Sequence, residues 1–353
     1  MVRVGLVAFG MAGRVFHAPL ISSVDGLELT AVVERNTDNA AARYPGIRTY
    51  RALDALLGDA AIDLVVVATP SGSHFEVAKQ VLAAGKHVVV DKPTAVRSSE
   101  IAELIRLSSE RRVHLIPFHN RRWDGDFLTI QKLLHEGLLG RLVYMQSTFD
   151  RWNPGQTRRP WKDDPELGGG MLLDLGTHIA DQVFALFGRP QAVGGDVRRE
   201  RDGEGANDAF TARLYYDGFT VELGANCLSS LARPRYHLRG THGNYWKHGV
   251  DPQEAALNQV TRITAQDWGR EPASAWGTLA VMADGCLVTQ PFETVPGNYR
   301  LYYEGVRDAV LGHAPAPVPA LDAWRVAHIL ESVAQSAEEG RTIPCDWSSE
   351  PSL

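Results

Sequence analysis

The stretch "VRVGLVAFGMAG", Val2 to Gly13, is a β-branched run that stops in a loop of small residues, and a helix-spaced segment, "RVFHAPLI", follows it. A strand feeding a helix through such a loop leaves the helix's first N–H groups unpaired, where they can hold an anion. Gly10 and Gly13 stand at the second and third glycine positions of the dinucleotide fingerprint. Ala8 takes the first, where a glycine usually makes the tight turn. Gly10 lets the backbone approach a pyrophosphate, so Ala8, Phe9, Gly10, Met11, Ala12 and Gly13 form a candidate cofactor loop. About 20 residues on, "LTAVVER" ends in Glu34 and Arg35. A carboxylate there accepts hydrogen bonds from the ribose hydroxyls and favours NAD; a guanidinium pairs with the extra phosphate of NADP. The two neighbours argue in opposite directions. Glu34 tips the reading towards NAD, with NADP open.

Working outward, "LELTAVV", "IDLVVVA", "KHVVVD" and "VHLIPF" alternate with amphipathic segments such as "HFEVAKQVLAAG" and "SSEIAELIRLSSERR". That alternation predicts a doubly wound parallel sheet of the Rossmann type, α/β in class, with ligands beyond the carboxyl ends of its strands. Thr69, Pro70, Ser73 and His74 follow one such strand; Asp91, Lys92 and Pro93 follow the next; Asn120 follows the last. All join the cofactor set. A lysine at the end of a buried strand is costly unless it meets an anion or a cleft, so Lys92 is also a candidate for chemistry.

After "IPFHNRRWDGDF" the pattern changes to one helix, "DFLTIQKLLHEG", and then to long alternating strands with glycine turns. This predicts a second, α+β domain with a large, mostly antiparallel open sheet, so residues 1–121 and 122–353 are read as two domains. An open sheet has a second face to cover, which predicts a homo-oligomer, dimer or tetramer. Within this half "GGGMLLDLGTHIAD", Gly168 to Asp181, is a helix apolar enough to be buried that still carries Asp174, His178 and Asp181. At spacings of four and seven these should share one face bordering a cleft.

Composition excludes several classes of function. A net charge of -6 and a pI near 6.1, with no basic stripe, argue against a nucleic-acid partner. No apolar run reaches the roughly 18 residues of a membrane span, and the amino terminus reads better as a strand than as a signal peptide, which predicts a cytoplasmic protein without a membrane partner. Cys227, Cys286 and Cys345 read as inert small apolar residues, and the closing "SSEPSL" as a disordered tail. His237, His242 and His248 lack metal-ligand spacing, so no metal is expected.

Taken together, "AFGMAGRVFHAPL", "TPSGSH", "AGKHVVVDKP", "HNRRWD" and "GGGMLLDLGTHIAD" resemble the Gfo/Idh/MocA family of oxidoreductases. "FDRWNP", "GTHGNYWKHGVDPQE" and "TVPGNY" look like its bacterial branch containing NADP-dependent scyllo-inositol dehydrogenases. The resemblance implies that the family's catalytic lysine falls on Lys92, with Asp91 replacing the usual glutamate, and its Asp–His pair on Asp174 and His178. Trp161 matches a position that contacts nicotinamide or substrate, and Arg122, Asn153 and Tyr299 join Lys92, Asp174 and His178 as candidate substrate contacts. The implied activity is hydride transfer between NAD or NADP and a secondary alcohol or ketone of a sugar or cyclitol. His178, with an ordinary imidazole pKa, would be the acid/base, Lys92 would polarise the reacting oxygen, and Asp174 would bind a neighbouring hydroxyl and fix the imidazole. A dihydrodiol or nucleotide-sugar oxidoreductase, or a nicotinamide-binding sensor, are the alternatives; Arg151, Arg158 and Arg159 leave an anionic substrate open.

Overall fold

The computed structural model describes residues 1–155, 160–259 and 263–352, apart from the side chains of Pro160, Trp161 and Glu166. Six parallel strands open the chain: β1 (Val2–Val7), β2 (Leu27–Val33), β3 (Arg48–Tyr50), β4 (Leu64–Val67), β5 (His87–Val90) and β6 (Leu115–Pro117). Their spatial order is β3-β2-β1-β4-β5-β6, so the winding reverses between β1 and β4. That reversal opens a crevice above the sheet, where ligands of such folds bind. The all-apolar β4, "LVVV", is buried throughout, as a strand with helices on both faces must be. After β1 the chain makes one π-helical turn, Gly13–His17, continued by the α-helix Ala18–Ser22.

The second sheet has nine strands: β7 (Leu142–Asp150), β8 (Ala192–Arg198), β9 (Ala209–Tyr216), β10 (Phe219–Asn226), β11 (Tyr236–Gly240), β12 (Gly243–Lys247), β13 (Gly277–Ala283), β14 (Cys286–Phe292) and β15 (Ile343–Pro344). Every pairing is antiparallel except β7 with β10. One face packs against helices Gly125–His135, Gly176–Phe187 and Ala320–Glu339 through Ile130, Met145, Ile179, Val183, Leu214, Leu223 and Leu330. The alternation in β12, where Asn244 and Trp246 are exposed between buried neighbours, sends the other side chains to the uncovered face. Edge strand β14 is exposed from Cys286 to Pro291, so Cys286 is a surface thiol and not the apolar filler expected; Cys227 is buried.

The chain then returns to its beginning. Helix Arg300–Val310 lays Tyr302, Tyr303 and Val306 into the core that holds Val4 and Leu6 of β1, and Trp324 packs with β4 and β5 on the opposite face of that sheet. Within the tail expected to be disordered, Glu350 is instead docked: its carboxylate receives both Arg189 and Arg325. Two arginines around one largely buried carboxylate outweigh the polar composition that suggested disorder. Among the described residues no helix is long and apolar enough to cross a membrane.

Candidate active site

A cleft of about 690 Å³ lies beyond the ends of β1, β2 and β4, walled by Ala8, Phe9, Gly10, Glu34, Arg35, Thr69, Pro70 and Ser73. Ala8 adopts φ 78°, the left-handed turn that the first fingerprint glycine usually supplies. A Cβ on Gly10 would meet nothing within 4 Å, because its backbone faces the open cleft. A Cβ on Gly13 would lie 2.5 Å from the Ala8 carbonyl oxygen. Gly13 therefore packs the helix beneath the loop and does not itself line the cleft. Bare backbone at the loop, free N–H groups at the helix start and an acid at the far wall fit a dinucleotide.

Glu34 is only 6% exposed, and its carboxylate serves its own loop: one oxygen accepts the Thr37 hydroxyl at 2.6 Å, the other the Ala40 N–H at 2.8 Å. Arg51 closes the same loop by donating to the carbonyls of Glu34 and Thr37 and to the Asp38 carboxylate. Arg35 is exposed on the cleft wall.

A second cleft of about 540 Å³ shares Ala8, Gly10, Thr69 and Pro70 with the first and adds Met11, Ala12, His74, Asp91, Lys92, Asn120, Asp174 and His178. It is the continuation of the nucleotide cleft into the junction between the two sheets. His74 is buried, with its ring nitrogens 2.7 Å from the Pro93 carbonyl and 2.8 Å from that of Thr69, so it ties together the loops after β4 and β5. Pro93 enters through that contact and not as part of the wall. Asp91 accepts the Lys92 N–H, and His17, 3.7 Å away, helps hold its carboxyl below the usual range against the opposing effect of burial.

Lys92 Nζ donates to both the main-chain oxygen and the Oδ1 of Asp174, each at 2.6 Å. Burial lowers the pKa of this ammonium, and the Asp174 charge resists the shift. The second oxygen of Asp174 accepts Lys162 at 3.0 Å. Burial would raise this carboxyl, but the two lysines hold it far below the ordinary carboxylate range.

The helical stripe expected from the sequence forms only in part: Asp174 and His178 line the same cleft, and Asp181 does not. The helix is interrupted at Leu175, between Met171–Asp174 and Gly176–Phe187, and Asp174 faces the two lysines. Asp181 turns away to Arg122, and His178 alone of the second segment's polar groups lines the cleft. Asp174 consequently does not hold the imidazole. Nor is the imidazole unperturbed: burial, then Lys92, Arg121, His119 and Arg151, push the His178 pKa well below 6.5. His178 is 6% exposed and its Nδ1 has no hydrogen-bond partner among the described residues.

Three expected substrate contacts lie elsewhere. Arg122 is consumed by Asp181 and Asp322, and Tyr299 is fully buried with its hydroxyl donating to Asp124 at 2.6 Å. Asn153 sits on an exposed segment whose N–H pairs with the Cys227 carbonyl. The Trp161 side chain and all of Arg158 and Arg159 lie outside the described residues. Arg151 does line the cleft. Three further charged wall residues escaped the sequence reading: Lys162, Arg121 and Glu254, the last two paired at 2.6 Å. "HNRRWD" offered two adjacent arginines with nothing to say which turns inward, whereas Lys162 stood beside the flagged Trp161.

Comparison with known proteins agrees with this geometry. Residues 2–119 match the oxidoreductase family with an NAD-binding Rossmann fold, and residues 127–246 match the GFO/IDH/MocA C-terminal domain. The oxidoreductase YdgJ of Escherichia coli, itself uncharacterized, is 40% identical over 97% of this chain and 98% of its own. The scyllo-inositol 2-dehydrogenase (NADP(+)) IolW of Bacillus subtilis is 33% identical over 97% of this chain and 95% of its own. A solved Yersinia pestis structure superposes with a TM-score of 0.92 at 41% identity, covering 99% of this chain and 98% of that one. With a reversal-point cleft, a glycine loop and the matching second sheet in one chain, the protein belongs to the Gfo/Idh/MocA family of NAD(P)-binding oxidoreductases.

Proposed function

We propose that the protein is a dehydrogenase or reductase for a secondary alcohol or ketone of a sugar or cyclitol. The observation that carries this reading is the meeting of Lys92, Asp174 and His178 where the nucleotide cleft opens into the second cleft. The name of IolW supports the substrate class. A nicotinamide cofactor held by Ala8–Ala12, Glu34, Thr69 and Pro70 would accept or return the hydride. Of the three N–H bonds of Lys92, two are spent on Asp174, and the third can donate to the reacting oxygen. His178, kept neutral by its burial and its cationic neighbours, takes the hydroxyl proton during oxidation and returns it during reduction. Asp174 acts by orienting Lys92.

For the cofactor, the negative Glu34 on the cleft wall supports NAD, because it would repel a 2′-phosphate. NADP is the second reading, favoured by the exposed Arg35 and by IolW. The uncovered face of the second sheet and the exposed Trp246, Met282 and Leu287 support a homo-oligomer built on that sheet. The test is absorbance at the reduced-nicotinamide band with both cofactors crossed against inositols, aldoses and their keto forms. Turnover of a polyol or its ketone supports the reading; tight cofactor binding without turnover of any of them would overturn it.

A further inference from the structure

The structure assigns a function to Lys162: we propose that it is a positioning residue that keeps the Lys92–Asp174 pair from being electrically neutral. One carboxylate is shared by two ammonium groups, Lys92 on Oδ1 at 2.6 Å and Lys162 on Oδ2 at 3.0 Å. With Lys92 alone the pair would sum to zero. With Lys162 present the trio carries one net positive charge beside the reacting oxygen, where negative charge develops.

The placement of Lys162 is built into the backbone. Its carbonyl accepts the Gly170 N–H at 3.0 Å, which fastens the turn Pro160–Asp163 to the start of the helix carrying Asp174. A Cβ on Gly169 would lie 2.6 Å from the carbonyl oxygens of both Lys162 and Asp164. Gly169 therefore makes room for this turn, and the Lys162 side chain emerges on the Asp174 side. Since Lys162 also lowers the pKa of Lys92, the positive charge is coupled to the readiness of Lys92 to share its proton. Among the described residues, the groups acting electrostatically with Lys92 include Asp91 on its own strand end, Asp174, Lys162, His178 and His119, and Arg121, Arg151 and Glu254 line the same cleft.

The test uses Lys162→Met and Lys162→Arg in the full chain. Competitive acetylation of Lys92 by acetic anhydride, read by peptide mass spectrometry across pH without cofactor, should show its midpoint rising in Lys162→Met and holding in Lys162→Arg. An unchanged midpoint in Lys162→Met would overturn the proposal. The kinetic arm rests on the dehydrogenase reading above. There kcat should fall about tenfold to a hundredfold in Lys162→Met, with KM and cofactor Kd within about twofold, and largely recover in Lys162→Arg. A change confined to KM would make Lys162 a substrate contact and would also overturn it. If the unaltered protein turns over no polyol, the dehydrogenase reading fails while the acetylation midpoint still decides the assignment.

Discussion

The two halves of the cleft are made in different ways. The nucleotide half is shaped, where β1 ends, by backbone from one short stretch: Ala8 at φ 78°, Gly10 open to the cleft and Gly13 pressed beneath the loop. The catalytic half is made of charges from distant segments, with Lys92 at the end of β5, Lys162 on a turn, and Asp174 and His178 on either side of a helix break. Damage to the first should therefore appear as lost fit and lost affinity, and damage to the second as lost rate. The contrast is between a surface shaped by what side chains leave out and one tuned by mutual electrostatics.

Lys92→Met should separate the halves most sharply, lowering kcat at least about a thousandfold while a fluorescence titration finds cofactor Kd within about threefold. Loss of cofactor binding in this variant would break the comparison. His178→Gln should cost about a hundredfold or more in kcat. In the unaltered protein the acid limb of kcat/KM for alcohol oxidation should lie below 6.5, because a base with a lowered pKa stays neutral further into acid. A limb at or above 6.5 would show that burial does not govern this imidazole. Gly13→Ala should act in the opposite sense, costing about 1 to 3 kcal/mol of stability in urea unfolding and weakening cofactor binding, because the new methyl collides with backbone. Smallest of all, Ala8→Gly should raise stability by about 0.5 kcal/mol, the relief of left-handed strain exceeding the added chain entropy, with kcat unchanged.

This division also explains what could be read in the sequence. The first fold was legible because strand, glycine loop and acid lie within one stretch and obey local rules. The second sheet was legible from its alternation, and Lys92 and His178 from their places beside strand and helix signals. The break at Leu175 was not, since "MLLDLGTHIAD" keeps helical spacing straight through it. Arg122 and Tyr299 were misplaced for a related reason. Their fates depend on Asp181, Asp322 and Asp124, and pairings across 59 to 200 residues leave no local mark. Glu34 was read as a ribose contact, and nothing local foretold that its carboxylate also accepts the Thr37 hydroxyl and the Ala40 N–H of its own loop.

The return of Tyr302, Tyr303 and Val306 to the core beneath β1 has a consequence during synthesis. The first sheet leaves the ribosome with one apolar face covered only in part, by Val15, Leu20 and Ile21, and the rest of its cover is translated roughly 200 positions later, a delay on the order of ten to forty seconds. Val4 and Leu6 must stay soluble for that interval without all of their final neighbours.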